Sequence, residues 1–220
     1  MKGDKIFYII LIFFSYVLLF IIILLGLSLL FSSIGIFEKF GIKFIISSEW
    51  DPVKGIFGIF PLIVGSFLVC FIALIIAVPL SLLIGYFISE VIPLRFKFIF
   101  SSFIELIAAI PSVIYGLWAL LVFSYFLREY IYRPLQSMLG FIPIFQGNIT
   151  GLGILTAGIV LAIMILPTIT LIIKDAIELL PISIKEAVIS LGATKYEVAK
   201  IIFKHIRFPL IGGIILGLSL

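Results

Sequence analysis

Apolar positions run along this chain in long unbroken stretches, with the polar ones gathered between them. Ile6–Phe31 holds 26 residues without a charge. Crossing the hydrocarbon layer takes about 20 such residues in a helix. The stretch is too long for the apolar core of a cleavable signal peptide and has no A-x-A-like exit, so it predicts a retained first membrane helix. Ile56–Ser89, 34 charge-free residues, predicts a second, with the residues up to about Pro61 at the interface. Phe98–Leu127 is a third run, interrupted by Glu105 and Pro111. Ile149–Ile173 is a fourth, with Pro167 near its end. Pro209–Leu220 is a fifth, and its 12 residues make only about 18 Å of helix, short of a crossing. We expect a fifth span cut short; a re-entrant element is the alternative.

Composition narrows the class. Of 220 residues, 64% are hydrophobic and 12% charged, against about 45–50% and 25% in soluble domains. That excludes a soluble enzyme, a disordered tail and a nucleic-acid-binding module. A lone cysteine, Cys70, and a lone histidine, His205, give no internal disulfide and no metal-ligand spacing. No metal, cofactor or catalytic group is expected. Basic residues set the orientation. With the N-terminus inside, the inner segments carry Lys2, Lys5, Arg95, Lys97, Lys174, Lys185, Lys195, Lys200, Lys204 and Arg207. The outer loops carry only Lys39, Lys43, Lys54, Arg128 and Arg133. This excess on one side predicts a cytoplasmic N-terminus.

The segment Lys174–Phe208 is more ordered than a loop. It contains Ser183-Ile-Lys-Glu186 and Thr194-Lys-Tyr-Glu197, two S/T-x-x-E capping boxes. In each, the hydroxyl would accept from a free amide of the first turn and the glutamate would reach back to the cap residue. Apolar stripes at helical spacing follow: Ile184, Ala187, Val188, Leu191, and then Ala199, Ile202, Phe203, Ile206. Gly192 falls between them, where a helix end favours a residue free to adopt φ > 0. The prediction is a helix–turn–helix over 183–207 inside a cytoplasmic element of 174–208. Two roles fit it. A helix pair could lie on lipid head groups, or its mixed charges (Lys185, Glu186, Lys195, Glu197, Lys200, Lys204) could dock to a protein.

Glu186-Ala-Val-Ile-Ser-Leu-Gly192-Ala193-Thr194 resembles the E-A-A-x-x-x-G signature of type I ABC importer permeases. Three further groups of residues resemble the phosphate-specific, PstC-type members of that family. They are Trp50-Asp-Pro52 with Phe57–Ser66, Ile75–Leu80 with Ser89-Glu90, and Glu105-Leu-Ile-Ala-Ala-Ile-Pro111-Ser112-Val-Ile-Tyr115-Gly-Leu-Trp118. Gly153–Pro167 adds another segment. The resemblance implies an all-α, polytopic transmembrane bundle of the type I ABC importer (MetI-like) permease fold, truncated in its fifth span. Residues 1–55 would form an extra N-terminal membrane helix and outer loop, and 56–220 an incomplete permease core. It further implies that Ser183, Glu186, Ala187, Gly192, Ala193, Thr194 and Glu197 couple the chain to an ATPase. The implied partners are a second, PstA-like permease, a PstB-like ABC ATPase dimer, a PstS-like extracytoplasmic phosphate-binding protein and the lipid bilayer. The chain has two departures from the family pattern. His205 stands where the family places a proline, with Pro209 four residues on, and the G-R-A-x-G-E-T segment that follows in the family is missing.

Glu105 is the one charge expected inside a span. It suits a gate or intersubunit latch, or else a carboxylate at the inner interface paired with Arg95 or Lys97. Pro111, Ser112 and Tyr115, with Gly116, place a weak point in a helix beside hydroxyls. They and Thr156 are pathway candidates, although membrane hydroxyls also bond to backbone or bridge helices. Gly151, Gly153 and Gly158 suit close helix packing, and Pro79 and Pro167 suit bends. The outer loops Glu38–Lys54 and Arg128–Asn148 could receive a binding protein, and Asn148-Ile-Thr150 is a chance glycosylation triplet. No G-x-x-x-x-G-K-[ST] occurs, so nucleotide must be handled elsewhere. The expected function is an importer permease for phosphate in a prokaryotic cell membrane. A permease for sulfate, molybdate or an amino acid, and a membrane assembly protein, are the alternatives.

Overall fold

The computed structural model describes residues 2–142 and 149–219, and these are helical apart from connecting loops and one isolated β-bridge between Asp51 and Ile56. The elements in order are α1 (Lys2–Phe40), α2 (Lys43–Ile46), α3 (Phe60–Val91), α4 (Leu94–Ala108) and α5 (Ser112–Leu139). They are followed by α6 (Ile154–Glu178), α7 (Ile182–Ser190), α8 (Lys195–His205) and α9 (Arg207–Leu218). Helices α1, α3, α5 and α6 are long and apolar enough to cross a membrane, and α8 with α9 forms a fifth candidate, bent by 63°. This is a multi-pass membrane protein.

Two compact units divide within α3, residues 1–64 and 65–220. In the first, α1 leaves almost every described side chain exposed, as an apolar helix surrounded by lipid would. It ends at Gly41, and Phe40 then stacks on Phe44. Beyond α2, Trp50 meets Phe57 edge-on, and Asp51 Oδ1 accepts from the Val53 and Lys54 amides at 3.0 and 3.2 Å. These amide bonds and the Lys54 ammonium hold the Asp51 carboxyl below its ordinary range.

The second unit is organised on α6. Lipid tails are as apolar as leucine, so burial alone does not drive membrane helices together; close packing does. Ile165, Ile169, Ile173 and Ile177, spaced four apart, form a buried ridge down α6. On α3, Ala73, Ala77, Ser81, Gly85 and Ser89 repeat at the same spacing, all buried, and leave a groove for that ridge. A Cβ on Gly85 would come within 2.7 Å of Ile173 Cγ2, and one on Gly158 of α6 within 2.6 Å of Ile72 Cγ2. Helix α9 repeats the device: Gly213 and Gly217 face Ile172 and Ile169. Ser81 Oγ donates to Leu166 O at 3.0 Å, next to Pro167 in the interior of α6.

Three boundaries differ from the sequence expectation. The third apolar run is two helices, because Pro111 takes an extended backbone (ψ 136°) and stops α4 at Ala108. With 15 residues, α4 is too short to cross alone. Beyond Leu127, where a loop was expected, α5 continues to Leu139 through a π-helical turn, Arg128–Tyr132, after an earlier one at Ala119–Phe123. Glu129 pairs with both Arg128 (3.0 Å) and Arg133 (2.5 Å). Helix α6 starts five residues late, after the left-handed Gly151 (φ 80°) and the extended Gly153. Gly153 is therefore a cap, with open space around it, and not a packing glycine. The second span begins at Phe60 as expected, with Pro61 in its first turn, where no amide donor is needed.

Gly85→Val and Gly158→Val should each destabilise the bundle by about 1–3 kcal/mol through overpacking. Gly26→Val, in the open flank of α1 where nothing lies within 4 Å, should change little. Denaturant unfolding in detergent micelles checks the contrast.

Candidate functional site

Helices α7 and α8 and the turn between them occupy the end of the bundle at which α3 and α6 finish. Their shape is locally encoded. Gly192 has φ 81°; its amide donates to Ile189 O at 2.9 Å and the Ala193 amide to Val188 O at 3.4 Å. Those two bonds make a Schellman motif, which satisfies the last carbonyls of α7. Thr194 then caps α8. Its amide donates to Glu197 Oε2 at 2.7 Å and its Oγ1 accepts from the Glu197 amide at 3.4 Å. The Thr194 amide, together with its Oγ1, which also donates to Glu197 Oε2 at 2.9 Å, holds the Glu197 carboxyl below its ordinary range.

The first predicted box does not form. Pro181 is the extended residue ahead of α7 (ψ 130°) and makes no side-chain cap bond. Ser183 therefore already lies in the first turn, with helical neighbours on both sides, and Glu186 is exposed without that role. The stripes also divide. Ile202 and Ile206 are buried and Ala199 and Phe203 half-buried, as expected, with Phe203 against the Tyr86 ring. On α7, Ile184 and Val188 are half-buried, but Ala187 is exposed and Leu191 is 88% exposed. Leu191, Ile189 and Tyr196 leave uncovered apolar side chains at the turn, and Leu179 and Ile182 do so at the other end of α7.

At the junction with α9, His205 Nδ1 lies 2.9 Å from Ile201 O. The chain bends at Ile206 and not at Pro209, which falls within the first turn of α9. Pro209 has no amide to offer the His205 carbonyl and its ring would crowd that group, so α8 ends at His205 instead of gaining a turn.

Charged side chains tie this end together. Lys185 Nζ meets Glu90 Oε1 at 2.5 Å. Lys97 donates to Ser89 O and lies 3.9 Å from Glu178. Lys174 pairs with Asp175 at 3.0 Å and Glu178 at 3.8 Å. Glu105, expected inside a span, is exposed in the last turn of α4 and adds its charge to the field at Lys174. Neither Arg95 nor Lys97 pairs with it among the described residues. Sequence reasoning missed the Glu90–Lys185 pair. The available signal was that Glu90 is the first charge after the 34-residue apolar run.

The pathway candidates separate. Ser112 and Thr156 line one groove of about 410 Å³ between α5 and α6, with Gly116, Leu120 and Val160. Thr156 Oγ1 is committed: it donates to Gly151 O at 2.7 Å and meets Tyr132 Oη at 2.7 Å. Tyr115 turns away from the groove and donates to Ile107 O at 2.9 Å, across the break at Pro111. Gly151 allows Ser124 O to approach where a side chain would stand. Asn148 lies outside the described residues.

Residues 77–220 match the family described as binding-protein-dependent transport system inner membrane component. The chain is 41% identical over 209 residues to the phosphate transport system permease protein PstC of Haemophilus influenzae, covering 91% of this chain and 66% of that one. To PstC of Pasteurella multocida it is 39% identical over 197 residues, covering 87% and 62%. To the probable PstC of Methanocaldococcus jannaschii it is 34% identical over 192 residues, covering 85% and 61%. The chain thus spans under two thirds of the length of these curated relatives. No solved structure matches.

Thr194→Ala removes a cap bond that contributes about 1 kcal/mol, so the first-turn amides of α8 should exchange roughly fivefold faster. Because the folded Glu197 carboxyl titrates below its unfolded value, its contribution is complete above the ordinary glutamate pKa. It is lost as pH falls through the lowered one. Hydrogen exchange at stepped pH measures both effects.

Proposed function

The chain belongs to the family of inner membrane components of binding-protein-dependent transport systems, and from that premise we propose that it is a phosphate-importing permease subunit. The observation that carries the substrate is the 41% identity to a phosphate transport permease over 91% of the chain. Residues 1–55 form an accessory membrane helix and outer loop, and 56–220 belong to the permease core. The N-terminus is cytoplasmic, in the inner membrane of a prokaryotic cell. This orientation places the basic residues of α7 and α8 inside, as the positive-inside rule requires.

The 183–207 element couples the permease to a separate ABC ATPase dimer, on which ATP is hydrolysed. Glu186, Ala187, Gly192, Ala193, Thr194 and Glu197 form the docking turn, with Ser183 in the first turn of α7. The apolar rim of Leu191, Ile189 and Tyr196 supports this reading over one in which the pair lies on lipid. It surrounds a turn of mixed charge and not the cationic face of a surface helix. A second permease subunit completes the pathway, and an extracytoplasmic phosphate-binding protein delivers the ion to the outer loops. Pro111, Ser112 and Tyr115, at the break between α4 and α5, form the gate with Glu105 just before it. Thr156 positions that region from α6.

Proteoliposomes holding the full-length permease and its partner subunits should take up radiolabelled phosphate, and not sulfate or molybdate, when ATP is supplied. Uptake of another oxyanion in place of phosphate would overturn the substrate. Gly192→Pro cannot adopt φ 81°, and with Glu186→Lys it should abolish co-purification of the ATPase while membrane insertion persists. Normal co-purification with both variants would remove the docking role.

A further inference from the structure

Within the coupling element, α8 is seated by the buried Ile202 and Ile206 and by Phe203 against Tyr86, whereas α7 is tied to α3 by an ion pair. Lys185 in α7 meets Glu90 at the end of α3, 95 positions away in sequence, at 2.5 Å. Only 18% of the lysine side chain and 22% of the glutamate side chain are exposed. Among the described residues neither forms another ion pair, because Lys97 and Lys174 are occupied by Glu178 and Asp175. Helix α7 contributes no buried side chain, so apolar packing holds it weakly.

Glu90 is presented on a braced support. It lies in the π-helical last turn of α3, Phe87–Val91, which the Ile92 amide closes by donating to Phe87 O at 3.0 Å. Ser89 Oγ donates to Gly85 O at 2.7 Å, Lys97 donates to Ser89 O, and Ile88 is 1% exposed. A π-helical turn at a helix end re-aims the side chains that follow it. Here the turn that carries Glu90 leaves its carboxylate against α7.

We propose that Glu90 and Lys185 form a latch that fastens α7 to α3, so that force applied to the coupling turn is carried into the helix packed along the isoleucine ridge of α6. This rests on the coupling role given above. The backbone already joins α7 to α6 through Leu179–Pro181 and to α8 through the Gly192 turn. The latch adds α3, and the four helices then respond as one body. Breaking one partner leaves the other charge partly covered and unpaired, a costlier state than exchanging the two charges.

The test is a charge-reversal cycle, Glu90→Lys, Lys185→Glu and the double swap, in the full-length permease assembled with its partner subunits in nanodiscs. Amide exchange over Ile184–Ser190 should rise about tenfold in each single variant and return to within about threefold of the parent in the swap, as coupled charges require. ATP hydrolysed per phosphate imported should rise in the singles and recover in the swap. Unchanged exchange in both singles would overturn the latch, as would a swap no better than either. Loss of ATPase co-purification with unchanged exchange would place Lys185 in the docking surface and also overturn it. If reversal prevents insertion, Glu90→Gln and Lys185→Met carry the same exchange comparison. A parent complex that imports no phosphate fails the proposed function, and the exchange measurements still decide the latch.

Discussion

The fit of the α6 isoleucine ridge into the small-residue groove of α3 is the contact on which the rest of the second unit depends. In lipid, two apolar faces gain little by meeting unless they meet closely. Gly85 lets the α3 backbone come close to Ile173, and Ala73 and Ala77 share one buried cluster with Ile165, Ile169 and Ile173. Helix α9 meets the ridge at Ile165 and Ile169 through Gly217, and the neighbouring Ile172 through Gly213, so one helix organises neighbours on two sides. Polar groups inside this contact are satisfied locally. Ser81 bonds to the Leu166 carbonyl, and Thr170 Oγ1 donates to the same carbonyl at 2.7 Å.

The register of that contact determines what gathers at the end of the bundle where α3 and α6 finish. Because Gly85 sits opposite Ile173, the following residues of each helix, Ser89–Glu90 and Lys174–Glu178, emerge beside each other. Lys97 of α4 and Lys185 of α7 complete the cluster. Its charges balance nearly in pairs, which lets α6 continue past the apolar run to Glu178 without an uncompensated ion.

Local signals were the legible ones. Gly192 and the Thr194–Glu197 box could be read because a helix end and a helix start depend on a few adjacent residues, and both formed as expected. The Ser183 box failed on equally local grounds: Pro181 began the helix first. Glu105 lies in the 15-residue α4 and not in one long third helix, because Pro111 divides Phe98–Leu127. The face of Leu191 could not be read from periodicity, since the helical phase ends at Ser190 and the Schellman turn aims the next side chain outward. The Glu90–Lys185 pair, joining positions 95 apart, depends on the packing register; the sequence marks Glu90 as the first charge after its apolar run but not its partner. The family resemblance, carried on several ordered segments, reached further than any of these local readings.

The turn at Gly192–Thr194 closes entirely on its own atoms: two backbone bonds on one side, a threonine–glutamate exchange on the other. Ordering a residue's backbone takes about 1–2 kcal/mol of entropy, and here that ordering precedes any encounter. A protein that grips this turn therefore meets a finished shape, and little of its contact energy is diverted into folding the surface it binds. Such preorganisation favours a firm grip through a small patch.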